Sequence, residues 1–280
     1  MNYIREEYSK MNQPIKILEQ LINKSLNPNF EDLDQLLSYM LNNIGNPDPY
    51  IRDTLIYSGF CELILNDHLT DSQLIFIAET CCDNAHLYFN NNEQQSDAVL
   101  TRSFSALAIQ LVLHKDQSER FLPQSLAIQI LTKSIDYLKF EHDYRGYIEN
   151  KGWAHSVAHG SDLLARAVSH PLFDEVSSID AVLTIVQKCL QTDYAYIDEE
   201  DERMMPIIDA LCKKGLSDDS LKYWLQKLQQ SRHEDDLKHY RMHWNIKKFM
   251  YTLYAHCVRN GKMSKQRTGF IRNIFVRNNI

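Results

Sequence analysis

Glycine and proline are scarce in this chain, whose 280 residues include only eight glycines and seven prolines. Proteins rich in β-hairpins or phosphate-binding loops need more glycine, because their tight turns use backbone conformations that other residues adopt at a cost. The chain also lacks the G-x-x-x-x-G-K-[ST], G-x-S-x-G and G-x-G-x-x-G motifs, which excludes the usual phosphate-binding loop, nucleophile elbow and dinucleotide-binding motif. These absences favour a helical protein.

Paired cysteines and long apolar runs are missing as well. The six cysteines show no C-x-x-C pair and no spacing typical of a disulfide framework, so we expect reduced thiols. No run approaches the roughly 18 consecutive apolar residues of a membrane span, and the first residues do not resemble a secretory signal. We therefore expect a cytoplasmic protein with no membrane contact.

Acidic residues are absent from the last forty positions, although the whole chain carries a net charge of −7. Residues 241–280 contain nine lysines or arginines, which leaves 21 basic against 37 acidic residues in the first 240. Apolar residues interleave with these basic residues at helical spacing, so we expect the segment to pack as the last helices. The acidic remainder argues against nucleic acid as a partner.

Capping residues delimit the helices clearly. Asp48 precedes Pro49, as at the start of a helix, and Ser217 precedes two aspartates, while Gly215 follows a helical run. With the 3.6-residue apolar period these caps predict an all-α chain. The predicted helices cover residues 5–24, 30–43, 48–65, 71–88, 97–114, 123–140, 152–169, 178–191, 200–214, 218–229, 235–260 and 264–277.

Connections of alternating length group these helices into about five hairpins plus terminal helices. The second helix of each hairpin carries an early polar residue, and successive ones are 50, 53, 48 and 44 residues apart. These residues are Arg52, Arg102, His155, Arg203 and Lys247. A period of this size indicates a HEAT-like α-α superhelix. We predict one domain over residues 1–280, whose second helices line a polar groove.

The densest polar pattern lies in the predicted helix over residues 152–169. At about 100° per residue, His155, His159 and Asp162 share one face, and Trp153 lies on the opposite face. Small residues cover much of the remaining circumference, which would allow neighbouring helices to approach closely. The sequence therefore predicts a central helix whose polar face looks into the groove.

Three interpretations of this polar face stay open. His155, His159 and Asp162 could simply be solvated, could bind a ligand directly, or could bind one divalent metal ion. In the metal case the protein would be a metal-assisted hydrolase with Glu202 as general base. Ser156 stands where the H-E-x-x-H motif has its general base, so we expect no metal cofactor.

Two other segments could complete a ligand site. Arg102 could hold a carboxylate or phosphate through two parallel hydrogen bonds. The acidic run over residues 198–202 ends at Arg203, and Asp201 or Glu202 could face the histidines across the groove. The same charges would also favour a helix N-terminus without any function.

These segments resemble a bacterial family of unknown function, DUF2785. The resemblance spans most of the chain, and its most specific part is the Lys-Gly-Trp-Ala-His stretch at residues 151–155. The other matching stretches are residues 45–53, 101–105, 145–147, 159–164 and 200–203. The resemblance implies a helical protein and brings no activity with it.

The sequence thus predicts a binding module for an anionic small molecule or a partner protein segment. The predicted ligand-binding residues are Arg52, Arg102, Trp153, His155, His159, Asp162, Asp201, Glu202 and Arg203. The alternative prediction is the metal-assisted hydrolase, and the sequence assigns no catalytic residue.

Overall fold

The computed structural model describes residues 13–26, 33–93 and 95–260. Most of these residues are helical, and the all-α prediction is confirmed. Residues 13–22 form α1, and the next elements are α2 (Leu33–Asn42), a π-helix (Tyr50–Tyr57), α3 (Ser58–Leu65), α4 (Asp71–Cys81), α5 (Ala98–Glu119) and α6 (Gln124–Phe140). The remaining helices are α7 (Ser156–Ser169), α8 (Phe173–Val176), α9 (Ile179–Leu190), α10 (Glu200–Arg203), α11 (Met205–Lys213), α12 (Asp218–Gln229) and α13 (Asp236–Asn260). The predicted helix over 264–277 lies outside the described residues.

The predicted helix at residues 48–65 begins as a π-helix and continues as α3. The Asp48 carboxylate accepts a hydrogen bond from the backbone N–H of Tyr50 at 2.9 Å, and Pro49 precedes the first helical residue. A π-helix closes i→i+5 hydrogen bonds and therefore takes more residues per turn than an α-helix. Periodicity at 3.6 residues cannot detect this widening.

A short hairpin precedes α7, and its second strand lies where the sequence predicted the start of a helix. Strand β1 (Tyr147–Ile148) pairs antiparallel with β2 (Gly152–Trp153). Gly152 has a φ of +75°, and a Cβ there would lie 2.9 Å from Cβ of Pro49. The prediction that residues 152–155 are helical was therefore wrong, because left-handed backbone at Gly152 and His155 delays the helix to Ser156.

The second helices of the predicted hairpins contact one another in chain order. Helix α5 contacts α3 and α7, α7 also contacts α11, and α11 contacts α13. Behind this row α2 contacts α4, and α6 contacts α9. Three predicted hairpins pack as pairs, namely α4 with α5, α6 with α7 and α12 with α13. In the other two, α2 contacts mainly α4, and α9 contacts mainly α6 and α13. The HEAT-like superhelix itself stays a prediction.

Helix α7 lies at the centre of these contacts, as its small residues suggested. A Cβ at Gly160 would meet Leu138 Cδ2 at 2.5 Å and Tyr137 Cε1 at 2.8 Å, so α6 approaches α7 closely. At the far end of α7, His170 Nε2 bonds the buried Asp116 carboxylate of α5 at 2.9 Å. These contacts fix the helix that carries the two histidines of interest.

No disulfide joins the six cysteines, all of which fall within the described residues. In the described ranges no helix is both long and apolar enough to cross a lipid bilayer.

Candidate functional site

A cavity of about 490 Å³ opens between the π-helix, α5, the start of α7 and the segment before α10. Its size falls within the roughly 300–1,000 Å³ that small-molecule sites occupy. The lining residues are Asp53, Tyr57, Phe104, Leu107, Trp153, His155, His159, Ile197, Asp198, Glu199 and Arg203. Aromatic rings, two imidazoles and four charged groups therefore converge on one space.

The two histidines of the cavity stack on each other. The ring centroids of His155 and His159 lie 5.7 Å apart with an interplanar angle of 23°. Trp153 packs edge-on against His155 at 4.3 Å, and Phe104 packs edge-on against His159 at 5.1 Å. The four rings form a continuous surface, and we call Phe104, Trp153, His155 and His159 the aromatic wall.

Hydrogen bonding fixes the proton of His159. The Ser103 hydroxyl donates its only hydrogen to the backbone carbonyl of Ala154, and the same oxygen lies 3.2 Å from Nδ1 of His159. His159 Nδ1 must therefore donate, which leaves Nε2 as an acceptor in the neutral ring. Burial, with the nearby Arg203 charge, holds the pKa of His159 well below its ordinary value of 6.5. The ring is neutral at pH 7.

His155 stands at the N-cap of α7 with left-handed backbone (φ 47°) and is half-buried. Its Nδ1 is buried and has no hydrogen-bond partner within the described residues. Burial, followed by the Arg203 charge, lowers the pKa of His155, while Asp198 and Glu199 oppose the shift. At neutral pH this imidazole is uncharged too.

Buried Arg52 supports the cavity from behind. Its guanidinium donates to the carbonyls of Asn46 and Lys151, both at 2.7 Å, and lies 4.8 Å from the centroid of the Phe104 ring. Its Nε also contacts the Asp53 carboxylate at 2.7 Å. The positive charge of Arg52 is therefore used to hold the hairpin and to neutralise Asp53.

Arg203 and Asp162 form an ion pair at one end of the cavity. The Arg203 guanidinium bonds both carboxylate oxygens of Asp162, with an Nε–Oδ1 distance of 3.1 Å. Arg203 lines the cavity, whereas Asp162 lines a neighbouring cavity of about 370 Å³. The pair therefore separates two adjacent spaces.

Two carboxylates of the cavity have no basic partner. Asp198 accepts a hydrogen bond from the backbone N–H of Tyr147 at 3.1 Å, and Glu199 is exposed at the N-cap of α10 with a φ of 67°. Neither forms an ion pair within the described residues. Since Asp53 is paired with Arg52 and Asp162 with Arg203, the unbalanced charge of the cavity is negative.

Comparison with family models matches residues 87–255 to a protein family of unknown function, DUF2785. The chain belongs to this family. Neither the curated proteins nor the solved structures yield a match. The family match includes the aromatic wall and the acidic segment, whereas Asp53 and Tyr57 of the π-helix precede it. The family resemblance is thus confirmed, and it brings no activity.

Four of the predicted ligand-binding residues of this DUF2785 member line the cavity, namely Trp153, His155, His159 and Arg203. Asp162 borders it through Arg203. The sequence signals for these residues were the Lys-Gly-Trp-Ala-His stretch at residues 151–155, the stretch that begins at His159, and the arginine that ends the acidic run.

Four other predicted residues lie elsewhere. Arg52 is buried behind Asp53, and Arg102 is buried against Glu141, with bonds of 2.8 and 2.7 Å to the carboxylate. Asp201 is buried against Thr252 and Lys248 of α13, and Glu202 lines a separate groove beside α13. Helix α10 turns these two acids away from the histidines.

Sequence reasoning missed the cavity residues Asp53, Tyr57, Phe104, Asp198 and Glu199. Asp53 and Phe104 lie inside stretches that resemble the DUF2785 family, and Asp198 and Glu199 begin the acidic run. The correct segments were therefore identified, but the choice of residue within each depended on backbone geometry that the pattern does not encode.

Metal-binding geometry is absent from the part of the chain that the structure describes, where no group of three or more His, Cys, Asp or Glu could hold an ion. His155 and His159 present stacked rings instead of converging nitrogens, and Asp162 is engaged by Arg203. His155, His159 and Asp162 are therefore not arranged as ligands of one metal ion.

Unusual backbone accumulates around the cavity. Asp53 and Tyr57 belong to a π-helix, and His155 and Glu199 are non-glycine residues with positive φ. Each such conformation is less favourable than its regular counterpart, and such features cluster at functional sites. Three separate segments thus reach the cavity through irregular backbone.

Proposed function

We propose that this protein binds a small organic cation, an ammonium or quaternary ammonium group, in the cavity beside the aromatic wall. The observation that carries the proposal is the charge of the lining. Asp198 and Glu199 have no basic partner in the described residues, while the only lining arginine, Arg203, is neutralised by Asp162. A cation would gain from these carboxylates, and an anion would be repelled.

The aromatic lining supports the same ligand class. Trp153 and Tyr57 border the cavity, and the faces of such rings attract cations, tryptophan most strongly, whereas the Phe104 ring already carries the Arg52 guanidinium. The two imidazoles add no positive charge at neutral pH because burial lowers the pKa of both. His159 also keeps Nε2 as a hydrogen-bond acceptor, which suits an ammonium N–H.

This proposal changes the ligand that the sequence predicted. An anionic small molecule was expected because Arg52 and Arg102 were placed in the groove, and their guanidinium groups are instead bonded to buried carbonyls and carboxylates. The volume of the cavity, about 490 Å³, suits a small molecule better than a partner protein segment. The metal-assisted hydrolase gains no support from the arrangement of His155, His159 and Asp162.

Two more detailed expectations from the sequence remain proposals. Chain-order packing of the second helices supports a HEAT-like superhelix. Six cysteines without a disulfide support a reducing, cytoplasmic location.

A titration with tetramethylammonium chloride tests the function directly. The ionic strength is held constant with sodium chloride, and binding is followed through the NMR signals of the histidine rings and the tryptophan indoles. We expect a saturable shift at His155, His159 and Trp153. Glu199→Gln and Asp198→Asn should each weaken binding roughly fivefold, the effect of about 1 kcal/mol from a partly exposed charge.

The matched control is Glu149→Gln, which removes an exposed carboxylate from the turn of the neighbouring hairpin. This variant should bind tetramethylammonium as the wild type does. Saturable binding of sulfate at the same histidine signals, with no response to tetramethylammonium, would overturn the proposal.

A further inference from the structure

The second cavity, of about 370 Å³, has a polar lining with a different balance of charge. It is bordered by Gln110, Asp162, Ala165, Arg166, Ser169, Pro206, Asp209, Ala210 and Lys213. Both of its carboxylates already have polar partners, since Asp162 bonds Arg203 and Asp209 contacts the His256 ring nitrogen at 3.0 Å. Arg166 and Lys213 form no ion pair with a carboxylate within the described ranges.

Arg166 in particular has unused hydrogen-bonding capacity. Its Nη1 donates to Oε1 of Gln117 at 2.9 Å, but its Nε is buried and has no partner in the described part of the chain. A buried donor without an acceptor is costly, and because this Nε is enclosed by protein, a ligand oxygen in the cavity would bond the terminal Nη atoms of the guanidinium instead. The observation that points to an anionic group in the second cavity is that its two basic lining residues, Arg166 and Lys213, have no carboxylate ion-pair partner within the described residues.

The same helices line both cavities in succession. Helix α7 presents His159 to the first cavity and Arg166 to the second, and α5 presents Leu107 and then Gln110. Seven residues separate His159 from Arg166, a distance of about 10 Å at 1.5 Å per residue along the helix. The two cavities therefore lie side by side along α7, on either side of the Asp162–Arg203 ion pair, and we call the two together the groove below.

Charge changes sign along this groove. The first cavity has the unpaired carboxylates Asp198 and Glu199, and the second has the basic groups Arg166 and Lys213. A ligand with one charge would be favoured at one end only. A molecule with a positive and a negative end would be favoured at both ends if its length matched the groove.

We propose that the ligand is an elongated zwitterion whose cationic group lies beside the aromatic wall and whose carboxylate binds Arg166 and Lys213. This inference rests on the proposed binding of a cation in the first cavity and adds the second charge and the length of the ligand.

The test compares ω-amino acids with amines of equal chain length. The probes are 4-aminobutanoate, 6-aminohexanoate and 8-aminooctanoate, each beside butylamine, hexylamine or octylamine, titrated into the full-length protein by calorimetry. We expect the shortest amino acid to bind no tighter than its amine, because it cannot reach Arg166. At the longest length the amino acid should bind at least roughly fivefold tighter.

Two variants locate the carboxylate. Arg166→Gln should remove the advantage of 8-aminooctanoate while leaving the affinity for octylamine unchanged. Lys213→Gln should reduce the advantage, and because Lys213 is exposed, this variant decides the question even if Arg166→Gln fails to fold. Arg232→Gln, in the turn after α12, is the control and should change neither affinity.

The outcomes separate the two proposals. If amines bind but no amino acid binds more tightly at any length, or if the advantage survives both variants, the cation site stands and the zwitterion is refuted. If neither the amines nor the amino acids bind, both proposals fail.

Discussion

Burial and hydrogen bonding give the two stacked imidazoles different properties. His159 lies inside the protein and shares a hydrogen bond with Ser103, whereas His155 is half-buried and carries a buried Nδ1 without a partner among the described residues. The pKa of each is lowered first by burial and then by the Arg203 charge. His159 is thus held as a neutral base, and protonation would place a charge in the core.

The low pKa of His159 in the folded protein predicts that stability depends on pH. The unfolded chain takes up a proton on His159 near pH 6.5, whereas the folded protein does so only at a much lower pH. Stability is therefore lost as the pH falls below about 6.5, by up to about 1.4 kcal/mol per pH unit. The free energy of unfolding, measured with urea between pH 7 and pH 5, should therefore fall more steeply with decreasing pH for the wild type than for His159→Gln.

Exposed His142→Gln serves as the control and should retain the wild-type pH dependence. If the free energy of unfolding changes with pH in the same way for the wild type and His159→Gln, then His159 is not a buried neutral group.

Residue types that converge on the cavity could be predicted at this scale, but their precise contacts could not. The sequence predicted that His155, His159 and Asp162 lie together. The two histidines do line the same cavity, but Asp162 lies outside it and reaches its edge only by bonding Arg203. A left-handed histidine at the start of α7 has no signal in the apolar period. Such backbone is decided by tertiary contacts of the hairpin.

Buried ion pairs connect the elements around the site. Arg102 of α5 bonds the carboxylate of Glu141 at the end of α6, and Tyr137 donates to the same carboxylate at 3.1 Å. Glu141 also accepts from the backbone N–H groups of His142 and Asp143, both at 2.9 Å. One carboxylate thus fixes the end of α6 and the start of the loop that leads to the hairpin.

Glu141→Ala should destabilise the protein by about 3–5 kcal/mol, because it leaves the Arg102 guanidinium buried without its counter-charge. The matched control is Asp136→Ala, which breaks a partly exposed pair with Lys139 and should cost no more than about 1 kcal/mol. Chemical denaturation measures both. A loss below about 1 kcal/mol for Glu141→Ala would contradict a buried, structural Arg102.

Helix boundaries were predictable where local capping decides them. Ser217 caps α12 as predicted, accepting from the backbone N–H of Ser220 at 3.1 Å, and Gly215 has the expected left-handed backbone with a φ of 102°. The role of Arg102 was not predictable from its spacing, because its partner Glu141 lies 39 residues away. The same holds for Arg52, which bonds a carbonyl 99 residues away.

The distribution of charge over the whole molecule agrees with a cation as ligand. Residues 1–240 contain 37 acidic and 21 basic residues. A net negative body raises the local concentration of cations near its surface, and a cavity with low-dielectric walls focuses that field.

A crystal soaked in tetramethylarsonium bromide tests the central claim most directly, because arsenic and bromine scatter anomalously at different wavelengths and mark the cation and the anion separately. We expect an arsenic peak in the cavity bordered by Trp153, His159 and Glu199, and no bromide there. A bromide peak against the histidines, with no arsenic in the cavity, would contradict the account.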